Sequence, residues 1–143
     1  MSDALARFDR LVADALTAED PVAVFRAAAA ADWPADLRDA IAAAAAAEDG
    51  VRLTALLVAK LRFERLMNGS RRAGEWFDRD AAGFTEAFRR YHGAVPPTAT
   101  DPRAEAELFE RWIESQDLAL GTGSRGRNEL RGQAASRLTI SRA

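Results

Sequence analysis

Residues 89 to 97 read RRYHGAVPP, and they hold the sequence's single histidine beside an arginine pair and two adjacent prolines. An imidazole at position 92 is the obvious candidate for acid–base work, because its ordinary pKa lies closest to neutrality. Arg89 and Arg90 suit a different task, gripping carboxylates through charge-assisted hydrogen bonds. One histidine alone builds no histidine metal site, and the chain contains no cysteine, so neither thiolate ligation nor disulfide chemistry is available to it. The neighbouring carboxylates Asp78 and Asp80, and again Glu105 and Glu107, stand two residues apart and do not share a helix face. They read as helix-end and solvent-face charges. A serine triad would need His92 and a Gly-x-Ser-x-Gly turn that the sequence lacks. The run GTGSRG at 121 to 126 misses the Gly-Lys-Ser/Thr ending of a phosphate loop. His92 therefore reads as a helix C-terminal residue favoured by the helix dipole. No residue is assigned a catalytic, cofactor-binding or metal-binding role.

What remains is recognition. Arg89, Arg90 and His92 fall just before a turn stiffened by Pro96 and Pro97, and a pre-ordered turn offers polar groups at low entropic cost. With Val95 they form the first candidate surface for a partner or peptide. Lys60 and Glu64 form the second. They stand one helical turn apart inside an otherwise apolar face, and they read either as an ion pair whose lysine stem lies along the core edge or as a partner contact.

The elements that position these residues are all helical. Of 143 residues, 48% are hydrophobic, but many of these are alanine, the strongest helix former. Leu5, Phe8, Leu11, Val12 and Leu16 recur at helical spacing and predict a first helix over about Asp3 to Leu16. Asp20 followed by Pro21 predicts the start of a second. Trp33 before Pro34 ends it, and Pro34 opens a third helix that Gly50 closes in a left-handed conformation. The fourth, VRLTALLVAKLRFERLM, is the most apolar segment and is expected at the centre, with Leu53, Leu56, Leu57, Leu61, Phe63 and Met67 buried and Arg52, Arg62 and Arg65 turned away. Asn68, Gly69 and Ser70 mark its end and the next start. A short fifth helix carries Trp76 and Phe77, and Asp80 caps a sixth whose stripe is Phe84, Ala87, Phe88 and Tyr91. Gly93 is expected to stop it before an extended run through the prolines. Asp101 and Pro102 open the last, with Leu108, Phe109, Trp112 and Ile113 as its stripe. Phe8, Leu57, Leu61, Phe84, Phe88, Trp112 and Ile113 are the expected core.

The fold class is thus all-α, a compact bundle of about six or seven helices over residues 1 to 120, followed by a flexible Gly/Arg-rich tail over 121 to 143. The tail carries five arginines and one glutamate, so the body holds fifteen basic and twenty-one acidic residues. An acidic body argues against nucleic acid as a partner. No stretch approaches a membrane span, and the first residues lack the apolar run of a signal peptide. The expectation is a soluble, cytoplasmic protein of bacterial type with no membrane partner.

Three phrases carry a resemblance: KLRFERLMNGS at 60 to 70, EWFDRDAAGFTEAFRRYH at 75 to 92, and VPPTATDPRAEAELFERW at 95 to 112. They lie within the stretch from about Leu53 to Trp112, about two-fifths of the chain, which resembles small accessory proteins of multinuclear non-heme iron-dependent oxidases, enzymes that modify ribosomally made peptides. The resemblance implies a non-catalytic subunit that docks on the oxidase and recruits its peptide, the iron residing in the partner enzyme and no cofactor in this chain. Without a strand-rich region to take the peptide as an added strand, a groove between helices is the expected mode. The alternative is a general helical adaptor or regulatory module unconnected with peptide modification. A small enzyme using carboxylates and His92 is the third reading.

Overall fold

The computed structural model describes residues 2–118 of the chain, and among these every regular element is a helix. The helices are α1 (Asp3–Thr17), α2 (Pro21–Ala28), α3 (Ala35–Ala46), α4 (Glu48–Gly69), α5 (Arg71–Arg79), α6 (Ala81–Ala94) and α7 (102–118). The all-helical class and the number of helices agree with the sequence reading. The tail from 121 lies outside the described residues. By its internal contacts the chain divides into two units, 1–108 and 109–143.

Helix starts follow the short polar side chains. Leu5 N–H donates to Ser2 Oγ, Ala23 N–H to Asp20, Ala73 N–H to Ser70 Oγ, Gly83 N–H to Asp80 and Ala104 N–H to Asp101. Each satisfies one of the donors that a helix start leaves without an intrahelical acceptor. Two stops fall elsewhere than expected. Gly50 does not close α3. No glycine among the described residues has a positive φ, and Gly50 lies in the first turn of α4. The break is at Ala47, with φ −87° and ψ 56°, because Glu48 and Asp49 complement the positive end of a helix that begins there. Gly93 likewise sits inside α6, which continues to Ala94. The stop is Val95, extended because Pro96 follows it.

Within the first unit, one core cluster joins the N-terminal helices. Ala15, Phe25, Trp33 and Ile41 are buried, with Phe8, Leu11, Val12 and Leu37 partly buried against them. Trp33 makes the α2–α3 break a fastened turn. Its indole N–H donates to Ala28 O at 2.9 Å, Arg38 donates to its carbonyl at 2.9 Å, and the Arg7 guanidinium lies 3.6 Å from the ring centroid. A second cluster is aromatic. Phe63 meets Phe77, Phe84 and Phe88 edge-on at 5.7, 5.8 and 5.3 Å, and Trp76 meets Phe84 at 5.5 Å. Such edge-to-face pairs align the positive ring edge with a negative face. In the second unit, the Phe109 and Trp112 rings lie tilted at 6.0 Å.

The α4 expectation holds for Phe63, which packs inward, and for Arg52, which is exposed, but it fails for the leucines and Arg62. Leu53, Leu56, Leu57 and Leu61 are 57%, 64%, 49% and 51% exposed, whereas Arg62 is 1% exposed and Leu66 fully buried. The helix has two faces rich in carbon. The one turned inward carries Val51, Ala55, Val58, Ala59, Phe63 and Leu66 and includes Arg62. Small residues admit close approach of α1, α2, α3 and α5, which all contact this helix, and a charged partner awaits Arg62. The leucines are left facing outward. Phe84, Phe88 and Trp112 are buried as expected, and Phe8 and Ile113 only partly.

Candidate functional site

The most tightly organised polar group in the first unit is buried. Arg62 Nε donates to Glu105 Oε1 at 2.7 Å, and its terminal nitrogens donate to the carbonyls of Val95 at 2.6 Å and Pro96 at 3.4 Å. Tyr91 donates its hydroxyl to the same Glu105 oxygen, and the guanidinium carbon stands 4.3 Å from the tyrosine ring centroid. Three residues further along α4, Arg65 donates to Ala99 O at 3.3 Å. The two arginines thus hold the segment between α6 and α7, whose prolines leave its carbonyls without helical partners. Burial, followed by the hydrogen bond to Glu105, pushes the Tyr91 hydroxyl far above its ordinary pKa. Glu105 is correspondingly not the solvent-face charge expected from its spacing to Glu107; it is fully buried. With the side chains of Arg62, Tyr91 and Glu105 all closed to solvent, the group holds structure rather than substrate.

The accessible site lies alongside. A cleft of about 580 Å³ opens where the α1–α2 turn meets α4 and α6. Leu16, Thr17, Ala18 and Glu19 form one wall, and Arg52, Ala55, Leu56 and Ala59 of α4 form the floor. Arg89 and His92, three residues apart on α6, close the other side. Ala55 and Ala59 leave the space, since a larger side chain one turn from Leu56 would fill it. Arg52 reaches Glu48 at 3.3 Å, and Arg89 stands 3.9 Å from Glu19 and 3.8 Å from Glu86. All these partners are substantially exposed, so their mutual attraction is weak.

His92 is half-buried and stacks on Phe88 at 5.8 Å with 14° between the rings. Burial pushes its imidazole below the ordinary pKa, and the Arg62 charge lowers it further, against an opposing pull from Glu105. Its Nδ1 is buried without a hydrogen-bond partner. An orphaned lone pair costs less than an orphaned N–H, which favours the neutral tautomer with the proton on Nε2. The depressed pKa sets a pH dependence. Unfolded chains take up the proton near pH 6.5, before the folded protein does, so stability is full above that value and falls as pH drops toward the folded pKa. Comparing denaturant midpoints at about pH 7.5 and 5.5 should show a smaller loss in His92→Gln than in the wild type. Equal losses would place His92 in a solvent-like environment.

The remaining residues singled out from the sequence divide. Lys60 donates to Glu64 Oε1 at 2.7 Å, and both side chains are exposed beside the outward leucines. Arg90 is exposed on α6, one position from Arg89. Val95 and Pro96 turn their carbonyls to Arg62, while Pro97 is half-buried. The fold therefore brings Arg89 and His92 together with Arg52 and keeps the proline turn as a fastened strap. Arg52 and the α4 leucines are the additions that periodicity did not reveal.

Among the described residues, no group of three or more His, Asp or Glu side chains is placed to hold a metal ion, and no helix is long and apolar enough to cross a membrane. Compared with protein-family models, curated proteins and solved structures, the chain matches none.

Proposed function

We propose that this chain is a non-catalytic accessory protein that docks on a partner enzyme and brings that enzyme its peptide substrate. The observation that supports docking is the outward face of α4. Leu53, Leu56, Leu57 and Leu61 each expose about half or more of their area along one helical stripe, rimmed by the Lys60–Glu64 ion pair. Single exposed leucines are ordinary, but four on one stripe of one helix form a patch of the kind that a partner covers. An apolar stripe with charged margins is the complement of a second amphipathic helix. The resemblance of residues 53 to 112 to accessory proteins of multinuclear non-heme iron oxidases supplies the narrower form of the proposal. The partner is such an oxidase acting on a ribosomally made peptide, and the iron is ligated by the oxidase.

Co-expression with a multinuclear non-heme iron oxidase that modifies ribosomally made peptides tests this. The wild-type chain should co-purify with the iron-loaded enzyme, and the triple variant Leu53→Gln, Leu57→Gln, Leu61→Gln should not. Glutamine keeps helix propensity, and exposed substitutions cost within about 0.5 kcal/mol each, so the variant's melting temperature should stay close to the wild type's. Retention of the variant at the wild-type level, or no retention of either, overturns the proposal.

A further inference from the structure

The outward face of α4 has ends of unlike size and charge. Asp49 and Gly50 are exposed toward its N-terminus, and Lys60 and Leu61 toward its C-terminus. Leu53, Leu56 and Leu57 lie between them, each about half exposed or more. We propose that in the free chain this face is covered by α4 of a second copy, packed antiparallel about a two-fold axis. The inference rests on the reading of the α4 stripe as a docking face, and names what covers that face when the enzyme is absent.

The pattern complements itself only in that arrangement. Positions 50, 53, 57 and 60 follow one another in steps of three, four and three, the spacing of a helix-pairing seam. A two-fold axis level with Ala55 sets Leu53 of one copy against Leu57 of the other, and Gly50 against Lys60, each contact occurring twice. Asp49, Leu56 and Lys60 share one flank of the seam by helical geometry. The axis keeps that flank on the same side of both helices. Asp49 of one copy therefore meets Lys60 of the other, and the two copies of Leu56 lie together. A parallel pairing would instead set Asp49 against Asp49 and Lys60 against Lys60.

Gly50 leaves room for the approach. A Cβ there would meet nothing within 4 Å in the single chain, so no contact within it uses the glycine's smallness, although glycine weakens a helix relative to alanine. In the pair, that open space receives the lysine stem and Leu61 of the other copy. The charges are available as well. Asp49 makes no ion pair among the described residues. Lys60 gives one of its three donors to Glu64, in a pair whose side chains are 64% and 49% exposed and whose attraction is correspondingly weak. One helix per copy makes a small interface, so the dimer should be reversible, with a Kd on the order of 10 µM.

Sedimentation equilibrium of the full chain alone, between about 1 and 500 µM, tests the pairing. The wild type should pass from monomer to dimer over that range, and the leucine triple variant should stay monomeric. Asp49→Lys sets the introduced lysine against Lys60 at both contacts, and Lys60→Glu sets the introduced carboxylate against Asp49. Each variant alone should dimerise at least about tenfold more weakly, as like charges across an interface imply. An equimolar mixture of the two has opposite charges at both contacts and should dimerise more tightly than either component. Within one helix, positions 49 and 60 lie about 16 Å apart at 1.5 Å per residue, so recovery on mixing reports contact between copies. A wild type that stays monomeric, a dimer indifferent to the leucine or charge substitutions, or a mixture no tighter than its components overturns the assignment. A chain that dimerises in this way but never retains the oxidase keeps the pairing and sinks the enzyme reading. A monomer that retains the oxidase through the leucines does the reverse.

Discussion

Glu105→Ala is expected to lower the stability of the protein by about 3–5 kcal/mol, the usual cost of removing one partner from a buried ion pair. Arg62 and Glu105 are 1% and 0% exposed, so water cannot replace the lost carboxylate. The substitution leaves a guanidinium charge inside the protein with the Val95 and Pro96 carbonyls as its acceptors, and removes the Glu105 oxygen to which the Tyr91 hydroxyl donates. A loss of this size is a large share of the 5–15 kcal/mol that holds a typical domain folded. Glu105→Gln keeps the volume and an oxygen for Tyr91 but not the charge, and should fall between wild type and Glu105→Ala. Replacing both Arg62 and Glu105 with leucine should cost less than the two single replacements added together, since no orphaned charge is left behind. Urea denaturation of the five variants decides it. An unchanged midpoint for Glu105→Ala would mean that solvent reaches the pair.

Gly69→Ala is expected to be the next most damaging change, and to run against helix propensity. A Cβ built on Gly69 would stand 1.9 Å from the carbonyl oxygen of Pro102 and 2.5 Å from its carbon. Both are backbone atoms at the first turn of α7, so relief requires that turn or the end of α4 to shift. Overpacking of this kind costs roughly 1–3 kcal/mol or more, outweighing the fraction of a kcal/mol that alanine gains over glycine in the unfolded chain. Gly74→Ala is the control. It lies within α5 with nothing inside 4 Å of the added carbon, and should stabilise by about 0.4–1 kcal/mol. Thermal melts with opposite signs at the two glycines would confirm that the tight approach at Gly69 sets the sign. Equal gains would show that α7 can move away freely.

Local chemistry was legible in the sequence, because local rules are what create it. Asp20–Pro21, Ser70, Asp80 and Asp101 each cap the helix that follows them. Capping needs only a short polar side chain three residues before a free N–H, and that spacing is written in the chain. The Phe84, Phe88 and Tyr91 stripe is buried for the same reason, since three- and four-residue spacing puts those rings on one side of α6 whatever else is present. Arg89 and His92 share a face of α6 by the same rule, and both line the cleft.

Which side of α4 faces inward was a different matter. Both sides of that helix carry apolar residues, and hydrophobicity alone favours the leucines. The outcome turned on two things with no local signature. One is the packing of α1, α2, α3 and α5 against the other face of the helix. The other is a carboxylate forty-three residues away, at Glu105, that makes burial of Arg62 affordable. An arginine is rarely buried unless paired, and pairing across that distance in the chain exists only once α6, the proline strap and α7 have folded around it. The cleft has the same origin. Arg52 and Arg89 are thirty-seven positions apart, and only tertiary packing brings both to the lining of one cleft. Composition and spacing therefore determined the helices, the side-chain-capped starts and the stripe within α6, because those depend on contacts within a turn or two. The outward leucines, the buried Arg62–Glu105 pair and the arginine-lined cleft were decided by tertiary packing, because each depends on the free energy of bringing distant charges and surfaces together.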